Sequence, residues 1–182
     1  IAKEAMLRGA EVTLISGKVN IAPVPFVNMV NIVSAKDMYY EVMKASEYSD
    51  IIIKAAAVAD YRPATVSDNK IKKKDGDMSI ELTRTEDIIG TLGKNKKNNN
   101  FLCGFSMETE NMLENSKAKL EKKNLDMIIA NNVKVKGAGF GTDTNVVTLI
   151  TKDEIKELPI MSKEDVADEI FNNILANRKG IV

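Results

Sequence analysis

The sequence predicts a three-layer α/β domain with a mostly parallel sheet and β-hairpin additions. Short apolar runs rich in β-branched residues, Ile51-Ile52-Ile53 and Leu125 to Ala130 above all, suit strands buried on both faces of a parallel sheet. Stretches of helical period separate them, at 35–46, 108–123 and 163–177. The chain has 182 residues, enough for one domain that buries roughly 70% of its unfolded surface. No internal repeat breaks it into units.

Taken in order, residues 1–9 read as a helix with Ile1, Ala2, Ala5 and Met6 on one face and Gly9 as its stop. Glu11 to Ile15 is a strand ending at Ser16-Gly17. Asn20 to Pro25 is a loop with two prolines, and Phe26 to Val33 a short strand. Ser34 caps a helix from Ala35 to Ser46 with Met38, Val42 and Met43 inward. The central strand spans 50–56, and Pro63 stops its continuation. The loop 57–69 is long enough to suggest function. Lys70 to Leu82 alternates around Asp75-Gly76-Asp77 and predicts a hairpin. Thr85 is expected to cap a helix that runs to about Lys94. Phe101 to Phe105 is a buried strand, Glu108 to Lys123 a charged helix, and Leu125 to Ala130 another strand. Val146 to Ile150 and Ile155 to Ile160 pair around Lys152-Asp153. Ser162 caps a last helix over 163–177.

Composition excludes several chemistries. There is no histidine, so no Ser-His-Asp or Cys-His catalysis and no histidine-ligated metal. Cys103 is the single cysteine, and its apolar setting reads as an inert buried thiol. One cysteine and no signal-like start fit a reducing, cytoplasmic setting. Lys plus Arg equals Asp plus Glu, 26 each, so no global basic field attracts nucleic acid. No apolar run approaches the ~20 residues of a membrane span.

Three strand ends carry small or polar residues: Ala57-Val58-Ala59-Asp60, Phe105-Ser106-Met107-Glu108 and Asn131-Asn132. Parallel, adjacent strands place these on one rim, where doubly wound sheets bind ligands. The alanines offer a flat floor. Asp60 offers a carboxylate for ribose hydroxyls, or a cap for its own turn. Lys70-Ile71-Lys72-Lys73-Lys74 supplies positive charge for phosphates, or a solvated hairpin face. Lys119 and Lys123, four apart, share a helix face and repel unless an anion lies between them or nearby acids screen them. Thr85-Glu86-Asp87-Ile88 starts a helix, where backbone N–H groups can meet an anion or the acids can cap. Gly137 to Gly141 lacks a phosphate-loop signature.

These segments together resemble a known family. Ala56-Ala57-Val58-Ala59-Asp60-Tyr61-Arg62-Pro63 and Lys70-Ile71-Lys72-Lys73 are similar to the nucleotide-binding strand end and lysine motif of bacterial phosphopantothenoylcysteine synthetase. Gly104-Phe105-Ser106-Met107-Glu108-Thr109, Lys123-Asn124-Leu125-Asp126, Ala130-Asn131-Asn132-Val133, Gly139-Phe140 and Asp143-Thr144-Asn145 follow in the family's order. The resemblance runs from Arg8 to the final helix. It implies a Rossmann-like domain and a ligase that joins 4′-phosphopantothenate to L-cysteine with CTP and Mg²⁺ or Mn²⁺.

The implied reaction has two steps. The substrate carboxylate attacks the α-phosphorus of CTP, giving an acyl-cytidylate and pyrophosphate; the amine of cysteine then displaces CMP. Both steps gather anions, so lysines and a divalent cation suit them. The family's nucleotide contacts carry over to Lys54, Ala55, Ala56, Asp60, Lys70, Thr85, Glu86, Asp87, Ile88, Phe105, Lys119 and Lys123, with Lys70 as the catalytic group. The metal ligands are unassigned. Asn132 stands where many members have aspartate and receives no role.

The family also has a segment of the form N-x-S-S-G-K-M-G before its first helix. Residues 1–182 are therefore expected to be a single synthetase domain without its first strand and Gly-rich loop. Members are homodimers, free-standing or fused to a flavin-dependent decarboxylase. Two other readings stay open: a non-catalytic nucleotide-binding domain of this fold, and a nicotinamide-dependent reductase. The second lacks GxGxxG and an acid after the strand that ends at Ser16-Gly17.

Overall fold

The computed structural model describes residues 1–72, 76–97, 99–108, 110–132, 135, 139 and 141–178. The described chain runs α1 (Ala2–Leu7), β1 (Thr13–Ser16), β2 (Asn28–Asn31), α2 (Ala35–Ser46), β3 (Ile51–Lys54), β4 (Tyr61–Pro63), β5 (Leu82–Arg84) and α3 (Ile88–Lys94). It continues through β6 (Phe101–Met107), α4 (Met112–Lys122), β7 (Met127–Asn131), β8 (Thr144–Asn145), β9 (Val147–Thr151), β10 (Ile155–Glu157), β11 (Met161–Ser162) and α5 (Lys163–Asn177).

The sheet is ordered β10-β9-β7-β6-β3. β3, β6 and β7 run parallel, with Lys54 opposite Gly104 and Ser106 opposite Ala130. β9 and β10 extend it as the predicted antiparallel hairpin, Ile155 opposite Ile150. β1 and β2 form a separate parallel pair. Alternate residues of β6 and β7 feed two cores. Phe101, Cys103, Met127 and Ile129 pack with Val166, Ile170, Phe171 and Ile174 of α5. Leu102 and Ile128 pack on the other face with Met38, Ile88, Leu92 and Leu120, from α2, α3 and α4. Apolar residues on both faces explain why these strands read as continuous runs.

Local chemistry sets the helix starts. Ser34 accepts from the Asp37 N–H at 3.1 Å, and the Asp37 carboxylate accepts from the Ser34 N–H at 2.8 Å. This capping box fixes α2 where the sequence placed it. Ser162 likewise accepts from the Asp165 N–H at 3.0 Å and starts α5.

Four expectations need correction. The predicted hairpin over 70–82 is instead a wider arm: Tyr61 pairs with Arg84 and Pro63 with Leu82. The intervening 64–81 has no strand among its described residues, and Lys73, Lys74 and Asp75 of the supposed turn region lie outside them. Ile71, Met78 and Ile80 are exposed, so alternation there had no face to bury. The cap of α3 is Asp87, not Thr85; Asp87 accepts from the Gly90 N–H at 3.0 Å. The Thr85 N–H donates to the Asp60 carbonyl at 2.9 Å. The strand expected over 50–56 stops at Lys54 and ends the five-stranded sheet, half-buried instead of central. Finally, the strand expected over 26–33 shortens to Asn28–Asn31.

Candidate active site

β6 and β7 end level, Met107 opposite Asn131, while β3 ends earlier, with Lys54 opposite Gly104, and charged groups mark these ends. Lys54 closes β3, and Glu108 follows β6. Beneath the rim, α3 packs tightly on β6. A side chain at Gly104 would meet Leu125 at 3.1 Å and collide with Ile89. Gly93 of α3 lies equally close to the turn after α4. These contacts bring Asp87, at the start of α3, beside Lys123, at the end of α4.

Lys123 donates to Asp87 Oδ2. Burial pushes the Asp87 carboxyl up, but the Lys123 hydrogen bond and the Gly90 N–H outweigh it and hold the group below the usual carboxylate range. Lys54 is half-buried, and that burial lowers its ammonium below the usual lysine value. Asp87 and Asp60 partly oppose this loss, while Lys123 adds to it. Four groups predicted from separate stretches, Lys54, Asp60, Asp87 and Lys123, thus share one electrostatic neighbourhood.

Lys119 lies one turn earlier on α4 and pairs with Glu108 Oε1. Glu108 Oε2 accepts from Asn115 Nδ2 at 3.4 Å, and the same amide donates to the Glu110 carbonyl at 3.0 Å. A buried Ser106–Ser116 hydrogen bond of 2.8 Å joins β6 to the middle of α4. Asp87 and Glu108 are thus the nearby acids that pair with the two lysines. The sequence placed Glu108 at a strand end on the rim but gave it no role. Its link to Lys119 runs from the loop after β6 to the third turn of α4, so no helical periodicity reveals it.

The remaining expected residues fall in different places. Ala55 and Ala56 are exposed at the exit of β3. Glu86 Oε1 stands 3.7 Å from Arg62 Nη2 at the base of the arm. Glu86 Oε2 is buried and has no hydrogen-bond partner among the described residues. Thr85 is tied through its backbone to Asp60. The Ile88 side chain is core, 3% exposed, which leaves only its backbone for a ligand. Phe105 packs toward the α5 core, on the opposite sheet face from the Asp87–Lys123 pair. Lys70 is exposed on 64–81, and among the described residues it makes no hydrogen bond or ion pair. Among the described residues, no group of three or more acidic or cysteine side chains is placed to hold a metal ion. No described helix is long and apolar enough to cross a membrane.

A mostly parallel central sheet with helices on both faces defines an α/β domain of the doubly wound class. The chain belongs to the family of the DNA/pantothenate metabolism flavoprotein C-terminal domain, whose model matches residues 1–177. It is 49% identical over 181 residues to the coenzyme A biosynthesis bifunctional protein CoaBC of Bacillus subtilis (strain 168), covering 98% of this chain and 44% of that protein. It is 45% identical over 177 residues to a cysteine/cysteine sulfinic acid decarboxylase from an unknown prokaryotic organism, covering 96% of this chain and 49% of that one. The crystal structure of the C-terminal domain of CoaBC matches with a TM-score of 0.80 at 44% identity, covering 96% of this chain and 80% of that chain. The chain spans less than half the length of these curated relatives.

Proposed function

We propose that this domain is the ligase that joins 4′-phosphopantothenate to L-cysteine in coenzyme A biosynthesis. The observation that carries the reading is the rim itself: Lys54 and Lys123 share one electrostatic neighbourhood with Asp60 and Asp87, and Lys119 lies one turn earlier on α4. The 44% identity to a CoaBC C-terminal domain supports it. CTP is the nucleotide of the proposal, on the strength of the AAVADYRP and KIKK motifs.

The chemistry follows from charge. The cytidine lies on Ala55 and Ala56, with ribose hydroxyls donating to Asp60. Lys119 and Lys123 hold the triphosphate, and Lys70 steadies charge on the phosphates as the carboxylate attacks the α-phosphorus. Pyrophosphate leaves, and the amine of cysteine then displaces CMP from the acyl-cytidylate. A divalent cation would be held by the triphosphate itself and would mask its charge. That mode fits a described acid set with no dedicated cage, because Mg²⁺ typically binds through substrate phosphates and water. The cation masks phosphate charge; the lysines supply the fixed positive field.

Two structural parts of the proposal reach beyond these residues. Among the described residues β3 ends the five-stranded sheet, and Ile51, Ile52 and Ile53 precede its one charge, Lys54. β1 and β3 nevertheless pack against the same core beside α2, through Ile15 and Ile52. A further strand lying against β3, with a Gly-rich turn at its end, completes the sheet. The arm exposes Tyr61, Val66, Ile71, Met78, Ile80 and Leu82, an apolar surface suited to a second copy of the chain. A fused decarboxylase accounts for the greater length of the relatives, and the cytoplasm is the expected setting.

Thermal melting tests the nucleotide assignment. A ligand of the native state raises stability by about 2.7 kcal/mol at a hundred times its Kd. CTP with Mg²⁺ is expected to raise the melting temperature more than ATP, and NADPH is expected to leave it unchanged. A rise with NADPH alone overturns the reading.

A further inference from the structure

Both phosphate-binding lysines already hold a carboxylate. Lys119 pairs with Glu108 and Lys123 with Asp87. Lys119 and Lys123 are thus each paired with a carboxylate, and Lys54 feels Asp87 and Asp60. The pairs are built in. The Glu108 side chain is only 16% exposed and also accepts from Asn115. Asp87 is fixed by the Gly90 N–H as the cap of α3.

A site meant to capture bare polyphosphate has no use for these acids. An incoming anion must displace them or share the lysines with them. The repulsion grows with the ligand's own charge. A triphosphate carrying a divalent cation meets much less of it.

We propose that Glu108 and Asp87 are specificity-determining counter-ions, which hold Lys119 and Lys123 in place and bias the rim toward a nucleoside triphosphate already complexed with a divalent cation. This rests on the reading of the rim as the nucleotide site. Glu108 and Asp87 touch the lysines and act on the ligand through charge.

Calorimetric titration of CMP, CDP and CTP, each with Mg²⁺ and with a chelator, tests it on the unmodified protein, Glu108→Gln and Asp87→Asn. Asparagine caps helices as well as aspartate, so Asp87→Asn removes charge while keeping α3 capped. Each variant is expected to bind metal-free CTP about tenfold more tightly, with a smaller gain for CDP and the smallest for CMP. The Mg²⁺ complex of CTP is expected to gain less than the free nucleotide. Unchanged metal-free affinity, or an equal loss for all three nucleotides, overturns the counter-ion role and leaves the nucleotide site standing. An unmodified protein that binds none of these ligands overturns the nucleotide reading and this proposal with it.

Discussion

Gly93 lies so close to Lys123 that a Cβ on the glycine would run into the lysine's carbonyl oxygen. This contact seats α3 on the end of α4. It thereby sets how Asp87, at one end of α3, meets the Lys123 side chain. Backbone blocks the space, so no side-chain rotation can relieve an added methyl. Gly93→Ala is expected to cost about 2 kcal/mol, as overpacking typically does. That lowers the melting temperature by about 4–8 °C in a domain of this size. Gly17→Ala is the control, since its Cβ would meet only Ile32 Cδ1 at 3.9 Å. Equal melting of the two variants would show that the contact does not constrain the helices.

The Ser106–Ser116 bond ties β6 to α4 inside the core, with Ser106 6% and Ser116 0% exposed. Ser116→Ala strands the Ser106 hydroxyl and is expected to cost about 1–2 kcal/mol. Ser106→Ala/Ser116→Ala removes both partners and is expected to cost less than the sum of the singles. A denaturant-based double-mutant cycle measures the coupling. Strict additivity would contradict a working bond.

Lys54 and Asp87 give opposite pH signatures. Burial lowers the folded pKa of Lys54, so its charged form is penalised in the native state. Stability from this group therefore rises as pH climbs through that lowered value toward about 10.4, the unfolded lysine pKa. A bound polyphosphate favours the ammonium and is expected to raise the Lys54 pKa, so nucleotide affinity weakens at alkaline pH. Lysine Nζ NMR with and without CTP reads this; no movement on CTP binding places Lys54 away from the phosphates. The Asp87 carboxyl is depressed in the fold. Its contribution is present above about pH 3.9, the unfolded value, and is lost as pH falls through the folded one. Asp87→Asn is therefore expected to melt lower than the unmodified protein at pH 6, with the difference shrinking progressively as pH falls below about 3.9.

Lys70 is exposed and unbonded among the described residues. Lys70→Gln is expected to leave melting unchanged and to lower turnover about a hundredfold, the scale of losing one electrostatic donor in a transition state. Near-full activity would remove Lys70 from the chemistry.

Much of the fold was legible because its signals are local. Ser34 with Asp37, and Ser162 with Asp165, place two helix starts to the residue. The apolar runs of β6 and β7 pack on both faces, as their composition predicts. The arm was misread because Ile71, Met78 and Ile80 alternate without a core beneath them. Thr85 looked like a cap because two good capping residues stand close together. The Thr85 N–H is drawn instead into the hairpin with Asp60. At the rim, the lysines, Asp60, Asp87 and Glu108 were visible as residue types. Their pairing was not, because Glu108–Lys119 and Asp87–Lys123 join separate elements.

The central claim is a nucleotide-driven ligation on the lysine rim. Its most direct test is pyrophosphate release by the full-length protein that carries this domain, given 4′-phosphopantothenate, CTP and Mg²⁺, with and without L-cysteine and beside an ATP control. The account predicts pyrophosphate from CTP in preference to ATP, and continued turnover with a 4′-phosphopantothenoylcysteine product only when cysteine is present. No release of pyrophosphate from CTP would contradict it.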